Sequence, residues 1–147
     1  MFLFGSLLLG FSLGGLVDGI VLHQVLQWHN FVSAEVPTDT VSALRTNLFW
    51  DGVFHLATTA LLVVAVALLW GARGRSATGG KRLLGLTLVG WGVFHVVDQI
   101  VFHEVLGLHD IRQGVANPGL YNWTYFAVGL LLVVVGVVIA GSRTRSA

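Results

Sequence analysis

The chain of 147 residues is strongly apolar, with 55% hydrophobic residues, 10% charged residues and a formal net charge of +1. A soluble domain carries about 25% charged residues, so this composition excludes an ordinary water-soluble protein. The absence of cysteine excludes disulfides, iron–sulfur clusters and thiolate chemistry, and the single methionine nearly excludes thioether metal ligands. The six histidines are therefore the nitrogen ligands that the chain can offer to a metal.

Four segments are long and apolar enough to cross a bilayer, which takes about 20 residues for each helix. They are predicted over residues 2–28, 47–70, 83–106 and 121–140. The whole chain, residues 1–147, is thus predicted to form one integral membrane domain in contact with lipid. Its fold class is all-α, a bundle of four transmembrane helices.

Basic residues predict the orientation of these helices. The Gly-rich link 71–82 carries four basic residues and the tail 142–147 carries two more. Because short basic loops stay in the cytoplasm, the link and both termini are predicted to be cytoplasmic. The basic residues lie at loops and ends rather than along one face, so no nucleic-acid partner is expected.

An internal repeat appears when the sequence is shifted by 80 residues. Asp18-x4-His23-x5-His29 then aligns without a gap with an Asp98-x4-His103-x5-His109 copy. Repeat one covers about residues 1–70 and repeat two about residues 83–141. Spans one and three are therefore copies with one orientation, which predicts two helical hairpins related by a pseudo-twofold axis along the membrane normal.

The acids of the spans predict a bound cation or proton. Four of the seven acids lie within spans, no Lys or Arg lies clearly inside one, and a lone carboxylate there costs at least about 2.5–3.5 kcal/mol. Counted along the helices, these acids and most histidines fall in the outer half of the membrane. We predict one metal or proton site formed by His23, His55, His95, His103, Asp18, Asp51 and Asp98. We assign His29, His109 and Glu104 to its entrance or to hydrogen bonds with its ligands. The alternatives are a hydrogen-bonded core residue for a histidine within a span, simple interfacial residues for His29 and His109, and a lipid-edge or helix-capping role for Glu104.

Imidazole and carboxylate ligands without sulfur suit a transition metal such as Zn, Fe, Mn or Cu(II). We therefore predict a site for one metal ion or several, used in metal binding and delivery or in metal-based redox chemistry. Enzymatic turnover stays open. One alternative is a haem b electron carrier with two axial histidines, although only His95 and His109 have the spacing that stacked haems need. The other is a proton- or metal-ion transporter with an Asp and His relay, although no span contains proline.

The Gly, Asp and His residues discussed above lie in three blocks of the sequence, residues 14–29, 50–55 and 92–109. They resemble the signature of a widespread bacterial family of four-span membrane proteins of unknown function. The resemblance implies this fold in a bacterial inner membrane, and it does not imply an activity. The family often has Asn where this chain has His95, Glu at Asp98 and His at Glu104, so the ligand count differs.

Some family members are encoded near genes for respiratory oxidase assembly. The resemblance thus implies copper ahead of zinc or iron, with oxidase assembly components as partners. A homo-oligomer is a further expectation, since small-residue patterns such as Gly10-x3-Gly14 let helices pack closely within or between chains.

Overall fold

The computed structural model describes residues 1–74 and 79–142, so the remainder of the predicted basic link and of the tail lies outside the described residues. It contains four helices that are long and apolar enough to cross a membrane, which confirms the predicted all-α bundle. The elements are α1 (Phe2–Asp18), the π-helical segment π1 (Gly19–Val25), α2 (Val41–Ala72), α3 (Gly80–Asp98), the π-helical segment π2 (Gln99–Val105) and α4 (Pro118–Gly141).

The helices that follow the two long loops begin at capping side chains. Thr40 accepts a hydrogen bond from the Ala43 N–H at the start of α2. At the start of α4, Asn117 accepts a hydrogen bond from the Leu120 N–H. Pro118 occupies the first turn of this helix, where it has no N–H group that needs a partner. Because of its cap, α2 begins at Val41 rather than at residue 47, and its 32 residues reach about 48 Å. It therefore extends beyond a hydrocarbon layer of about 30 Å.

Helices α1 and α3 form the centre of the bundle. Within the described ranges, α2 packs against α1, α4 packs against α3, and α2 and α4 do not touch. A methyl group at Gly10 would overlap the Thr87 carbonyl oxygen, and one at Gly90 would overlap the Leu7 carbonyl oxygen. These two contacts exchange under the shift of 80 residues, as a pseudo-twofold axis between α1 and α3 requires. The symmetry of the whole bundle stays a prediction.

The two ends of the bundle differ in chemistry. Gly5 lies beside Leu69 and Gly85 lies beside Ala140, so the N-terminus, the end of α2, the start of α3 and the end of α4 share one end. The opposite end holds π1, π2 and the loops 26–40 and 106–117. We refer to it as the loop end, and the conspicuous cluster of histidines lies there.

Candidate metal centre

The π-helical segments explain the Asp-x4-His spacing. Residues five apart in an α-helix point about 140° apart, whereas i to i+5 hydrogen bonding in a π-helix places them above one another. Asp18 Oδ2 consequently lies 3.3 Å from His23 Nε2, and Asp98 Oδ2 lies 3.0 Å from His103 Nε2. All four side chains are buried.

A sharp turn after each π-helical segment brings a second histidine into the bundle. Gln27 has a φ of 51° and Gly107 a φ of 60°, a left-handed backbone that ends the helix and reverses the chain. The next histidines, His29 and His109, are each only 3% exposed. Their imidazole rings stack in parallel with centroids 4.5 Å apart.

Each of these two imidazoles is held by the loop of the opposite repeat. His29 Nδ1 donates to the Ile111 carbonyl at 2.8 Å, and His109 Nδ1 donates to the Phe31 carbonyl at 2.9 Å. A carbonyl partner can only accept, so it fixes the proton on Nδ1 and leaves a lone pair on Nε2. Among the described residues neither buried Nε2 atom has a hydrogen-bond partner. This is how metal-ligating histidines are commonly oriented.

Burial also keeps both imidazoles neutral. Desolvation lowers the pKa of His29 to about 4, and the neighbouring His23 lowers it further. Desolvation likewise lowers the pKa of His109 well below its ordinary value, and the imidazole of His29 adds to this effect. Both side chains are therefore in the form that binds metal at neutral pH.

His23 and His103 flank the stacked pair. The ring centroid of His23 lies 4.3 Å from that of His29, and the centroid of His103 lies 4.3 Å from that of His109. Two groups have ligand atoms within 4.8 Å of one another: His23, His29 and His109, and Asp98, His103 and His109. Since His109 belongs to both groups, they form one continuous centre at the loop end.

Asp51 of α2 holds His23 from its other side. Its Oδ1 atom lies 2.9 Å from His23 Nδ1 and accepts from the Phe31 N–H at 2.8 Å. Its Oδ2 atom accepts from the Asn30 side-chain amide at 2.6 Å. Only Nδ1 of His23 is therefore hydrogen-bonded; its buried Nε2 atom lies 3.3 Å from Asp18 Oδ2 but has no hydrogen-bond partner among the described residues, so it keeps a lone pair for a metal.

Asn122 of α4 takes the place of Asp51 in the second repeat. Its Oδ1 atom accepts from the Ile111 N–H at 2.9 Å, and its amide donates to Asp110 at 2.7 Å. In repeat one the loop carries the amide, Asn30, and the helix carries the carboxylate, Asp51. In repeat two the loop carries the carboxylate, Asp110, and the helix carries the amide, Asn122. His103 has no second carboxylate, and its buried Nδ1 atom lacks a partner in the described part of the chain.

Four predicted ligands lie outside these groups of ligand atoms in the described chain: Asp18 and Asp51, which contact His23, and the more distant His55 and His95. His95 Nε2 accepts from Trp91 Nε1 at 3.1 Å, and its Nδ1 atom donates to the Tyr125 carbonyl at 3.3 Å. His55 packs against Gly19 and is half-buried. Because both His95 nitrogens are engaged, this side chain links Trp91 of α3 to the backbone of α4.

Glu104, assigned to the entrance or to ligand hydrogen bonds, is exposed and accepts from the Gln99 amide at 2.8 Å. Three polar partners of the centre were missed by the sequence analysis: Asn30, Asn122 and Tyr125. The Tyr125 hydroxyl donates to Asp18 at 3.3 Å. One signal for Asn122 exists, since the aromatic–Asx pair Trp50-Asp51 recurs as Tyr121-Asn122.

Residues 5–143 match the family described as Predicted membrane protein (DUF2243). The chain belongs to this family. Membership confirms the resemblance that the sequence indicated, and the family description gives a membrane protein without an activity. No curated protein and no solved structure matches the chain.

In this DUF2243 protein a polar cavity of about 390 Å³ reaches the centre from the loop end. We call it the polar access cavity. His23 lies on its wall together with Gln24, Gln27 and Asn30. Leu44 and Leu48 of α2 also line it. A hydrated ion could therefore approach His23 without crossing the apolar part of the bundle.

Proposed function

We propose that this protein binds a transition-metal ion through the imidazoles of His23, His29, His103 and His109. The observation that carries the proposal is the stacked pair of His29 and His109. Each ring donates from Nδ1 to the opposite loop, and the buried Nε2 atoms have no partner in the residues that the structure describes. A buried polar atom without a partner costs about 1–3 kcal/mol, and a shared metal ion would satisfy several such atoms at once.

The carboxylates fit the same proposal. Asp18, Asp51 and Asp98 are buried in helices that cross the membrane, each beside a histidine nitrogen. The spans contain no Lys or Arg clearly placed to balance them, so a divalent cation supplies the missing charge. We propose that Asp98 is a ligand or a hydrogen-bond partner, and that Asp18 and Asp51 orient His23.

The donor set limits the metal. Imidazole with carboxylate and no sulfur suits Cu(II), Zn(II) or Fe(II), and among divalent ions Cu(II) binds such donors most tightly. We propose copper first, held for delivery or redox chemistry near the outer face of a bacterial inner membrane. The two overlapping groups of ligand atoms leave room for one ion or two. Haem is less favoured, because both nitrogens of His95 are already engaged.

Elemental analysis tests the proposal. Protein purified in detergent without chelator is expected to contain at least about one transition-metal ion per chain. His29→Ala and His109→Ala should each lose most of this metal, because each removes a central ligand. His55→Gln is the matched control and should keep it, since His55 lies outside both groups of ligand atoms in the described chain.

A second measurement separates lost binding from lost folding. Cu(II) is titrated into chelator-treated protein, and gel filtration and circular dichroism report the fold of each variant. His109→Gln, whose amide can still donate to the Phe31 carbonyl, should remain folded and bind copper at least tenfold more weakly. A wild-type protein without metal that also fails to bind added copper, or equal losses in His29→Ala and His55→Gln, would overturn the proposal.

A further inference from the structure

A lateral cavity opens between α1, α3 and α4, on the side of the bundle that faces lipid. Its volume is about 320 Å³, and Val17 and Val128 form its rim, with exposed fractions of 39% and 43%. A second cavity of about 490 Å³ shares Tyr125 and Val128 with it and continues toward the loop end. Sites for small molecules occupy about 300–1,000 Å³, so this space is large enough for a ligand.

The equivalent region of the other repeat is filled in part by aromatic rings, although Leu8 and Phe11 line a separate apolar cavity of about 280 Å³ beside it. A shift of 80 residues relates positions of α1 to positions of α3. A shift of 71 residues relates α2 to α4, because Asp51 and Asn122 both accept a hydrogen bond from a loop N–H. By these shifts the cavity corresponds to the place where Phe11, Phe54 and Phe94 meet. Phe94 is 3% exposed and its ring centroid lies 5.4 Å from that of Phe11.

Three residues replace these phenylalanines in the lining of the cavity. Gly14 stands at the position of Phe94 and brings no side chain, and a Cβ atom there would lie 3.0 Å from Phe94 and from Trp91. Trp91 and Tyr125 stand at the positions of Phe11 and Phe54, and both bring a polar atom. One repeat is thus closed by apolar rings, whereas the other has an apolar cavity with Asp18, His95 and Tyr125 at one end.

The polar end of the cavity offers acceptors. The Tyr125 hydroxyl donates to Asp18, Trp91 Nε1 donates to His95, and His95 Nδ1 donates to the Tyr125 carbonyl. These donors are therefore all used. The Asp18 carboxylate, which is 5% exposed, and the Tyr125 phenol oxygen still have lone pairs, which accept a hydrogen bond from a hydroxyl group that reaches this end of the cavity. The lining contains no Lys or Arg among the described residues, so a phosphate head group has no counter-charge there.

We propose that this lateral cavity binds a lipid-soluble hydroxyl compound that enters from the bilayer. Its apolar body lies between α1 and α4, and its hydroxyl group donates to Asp18 and Tyr125. A membrane phenol or quinol and a prenyl alcohol share this chemistry. The site does not depend on a metal, because its walls and hydrogen bonds are complete without one.

Binding of 4-decylphenol to the purified full-length protein in detergent micelles tests the proposal, with retained probe quantified by mass spectrometry. Saturable binding of about one probe per chain is expected. The methyl ether of the same probe should bind at least tenfold more weakly, because it cannot donate. Tyr125→Phe should weaken binding of the phenol about two- to tenfold through loss of one hydrogen bond.

Variants that fill the cavity give the sharper result. Val128→Trp places an indole in the opening and should weaken binding at least tenfold, and Val17→Trp on the opposite wall should do the same. Ala57→Trp is the matched control, since residue 57 corresponds to Val128 in the filled repeat, and it should bind like the wild type. Farnesol is titrated in parallel, and whichever probe binds more tightly identifies the ligand as an aromatic or a prenyl hydroxyl compound.

The outcomes also separate this proposal from the metal proposal. Chelator-treated protein and His109→Gln should retain probe binding. Partitioning of both probes without saturation, equal in wild type and Val128→Trp, would overturn the lateral site. The same conclusion would follow if Ala57→Trp weakened binding as much as Val128→Trp.

Discussion

His29 and His109 show how a membrane protein can hold neutral imidazoles ready for a metal. Each ring receives its orientation from a carbonyl of the other repeat, so neither loop forms its half of the centre alone. Burial then suppresses protonation, as the pKa of about 4 for His29 indicates. A centre of this kind depends on both loops at once, and single changes in either loop are expected to affect it.

The exchange of Asn30 and Asp51 tests whether the repeats use equivalent hydrogen bonds. Asp51→Asn places an NH₂ group, which can only donate, beside the donors of Asn30 and Phe31. This change should lower the free energy of unfolding by about 1–3 kcal/mol. Asn30→Asp sets two carboxylates side by side and should also destabilise. The double variant recreates the arrangement of Asp110 with Asn122, so it should recover about 1–2 kcal/mol relative to the sum of the single changes. Denaturant unfolding in detergent, followed by circular dichroism, measures the three variants.

The matched experiment in the second repeat exchanges Asp110 and Asn122. Its coupling free energy should have the same sign, although His103 lacks the second carboxylate that His23 has. Strictly additive effects in both repeats would contradict an equivalent role of these pairs.

Sequence reasoning identified the residues of the centre better than their roles. The repeated Asp-x4-His-x5-His pattern located His23, His103 and their carboxylates, because ionisable residues in apolar helices are exceptional. The positions of His29 and His109 depend on turns that reverse the chain and on carbonyls far away in sequence. No helical spacing contains that information, so their central place required the structure.

Among the elements, the two π-helical segments bring an Asp and a His that are five residues apart in sequence into contact. In an α-helix, which turns about 100° per residue, the side chains of Asp18 and His23 would point in different directions. The π-helix of Gly19–Val25 brings these two side chains into contact. The four spans themselves were predictable from apolar length. Their boundaries were less so, because the caps at Thr40 and Asn117 determine where α2 and α4 begin.

Packing of α1 against α3 gives a prediction for the glycines at their crossing. Gly10→Ala would push a methyl group into the Thr87 carbonyl and should lower the free energy of unfolding by about 1–3 kcal/mol. Gly90→Ala meets the Leu7 carbonyl and should act alike. Unfolding by added denaturing detergent provides the measurement.

Gly52→Ala is the control for this prediction. Nothing lies within 4 Å of an added Cβ atom at this position, so alanine should be neutral or should stabilise α2 by about 0.5–1 kcal/mol. If Gly10→Ala were as well tolerated as Gly52→Ala, the close approach of α1 and α3 would be wrong.

For the whole molecule, the two sequence repeats resemble each other at the histidine centre and differ at the sides of the bundle. The histidines of both repeats meet at the loop end, whereas phenylalanine rings fill one flank and a cavity opens the other. The composition and the repeat predicted the bundle, and DUF2243 membership supports it. The difference between the two sides of the bundle depends on which residues of neighbouring helices contact each other, and a single sequence does not show these contacts.

Together with the proposed metal binding, the same architecture predicts the side from which a metal ion would enter. The polar access cavity opens at the loop end, opposite the end that carries the N-terminus and the basic link, so on the predicted orientation it faces out. Leu48 lines this cavity and is 52% exposed, so Leu48→Trp should slow Cu(II) uptake at least several-fold without changing the bound amount at equilibrium. Leu56→Trp, at an exposed position of α2 outside the cavity lining, is the control and should load at the wild-type rate.

Membrane vesicles decide the direction of this access. A chelator that does not cross the bilayer should remove metal from right-side-out vesicles and leave it in inverted vesicles, because the polar access cavity connects the centre to water at the loop end. Removal from inverted vesicles alone would reverse the orientation that the basic residues predict. Equal removal from both preparations would instead require a second aqueous path through the apolar half of the bundle, where α1 and α3 pack backbone against backbone at Gly10 and Gly90.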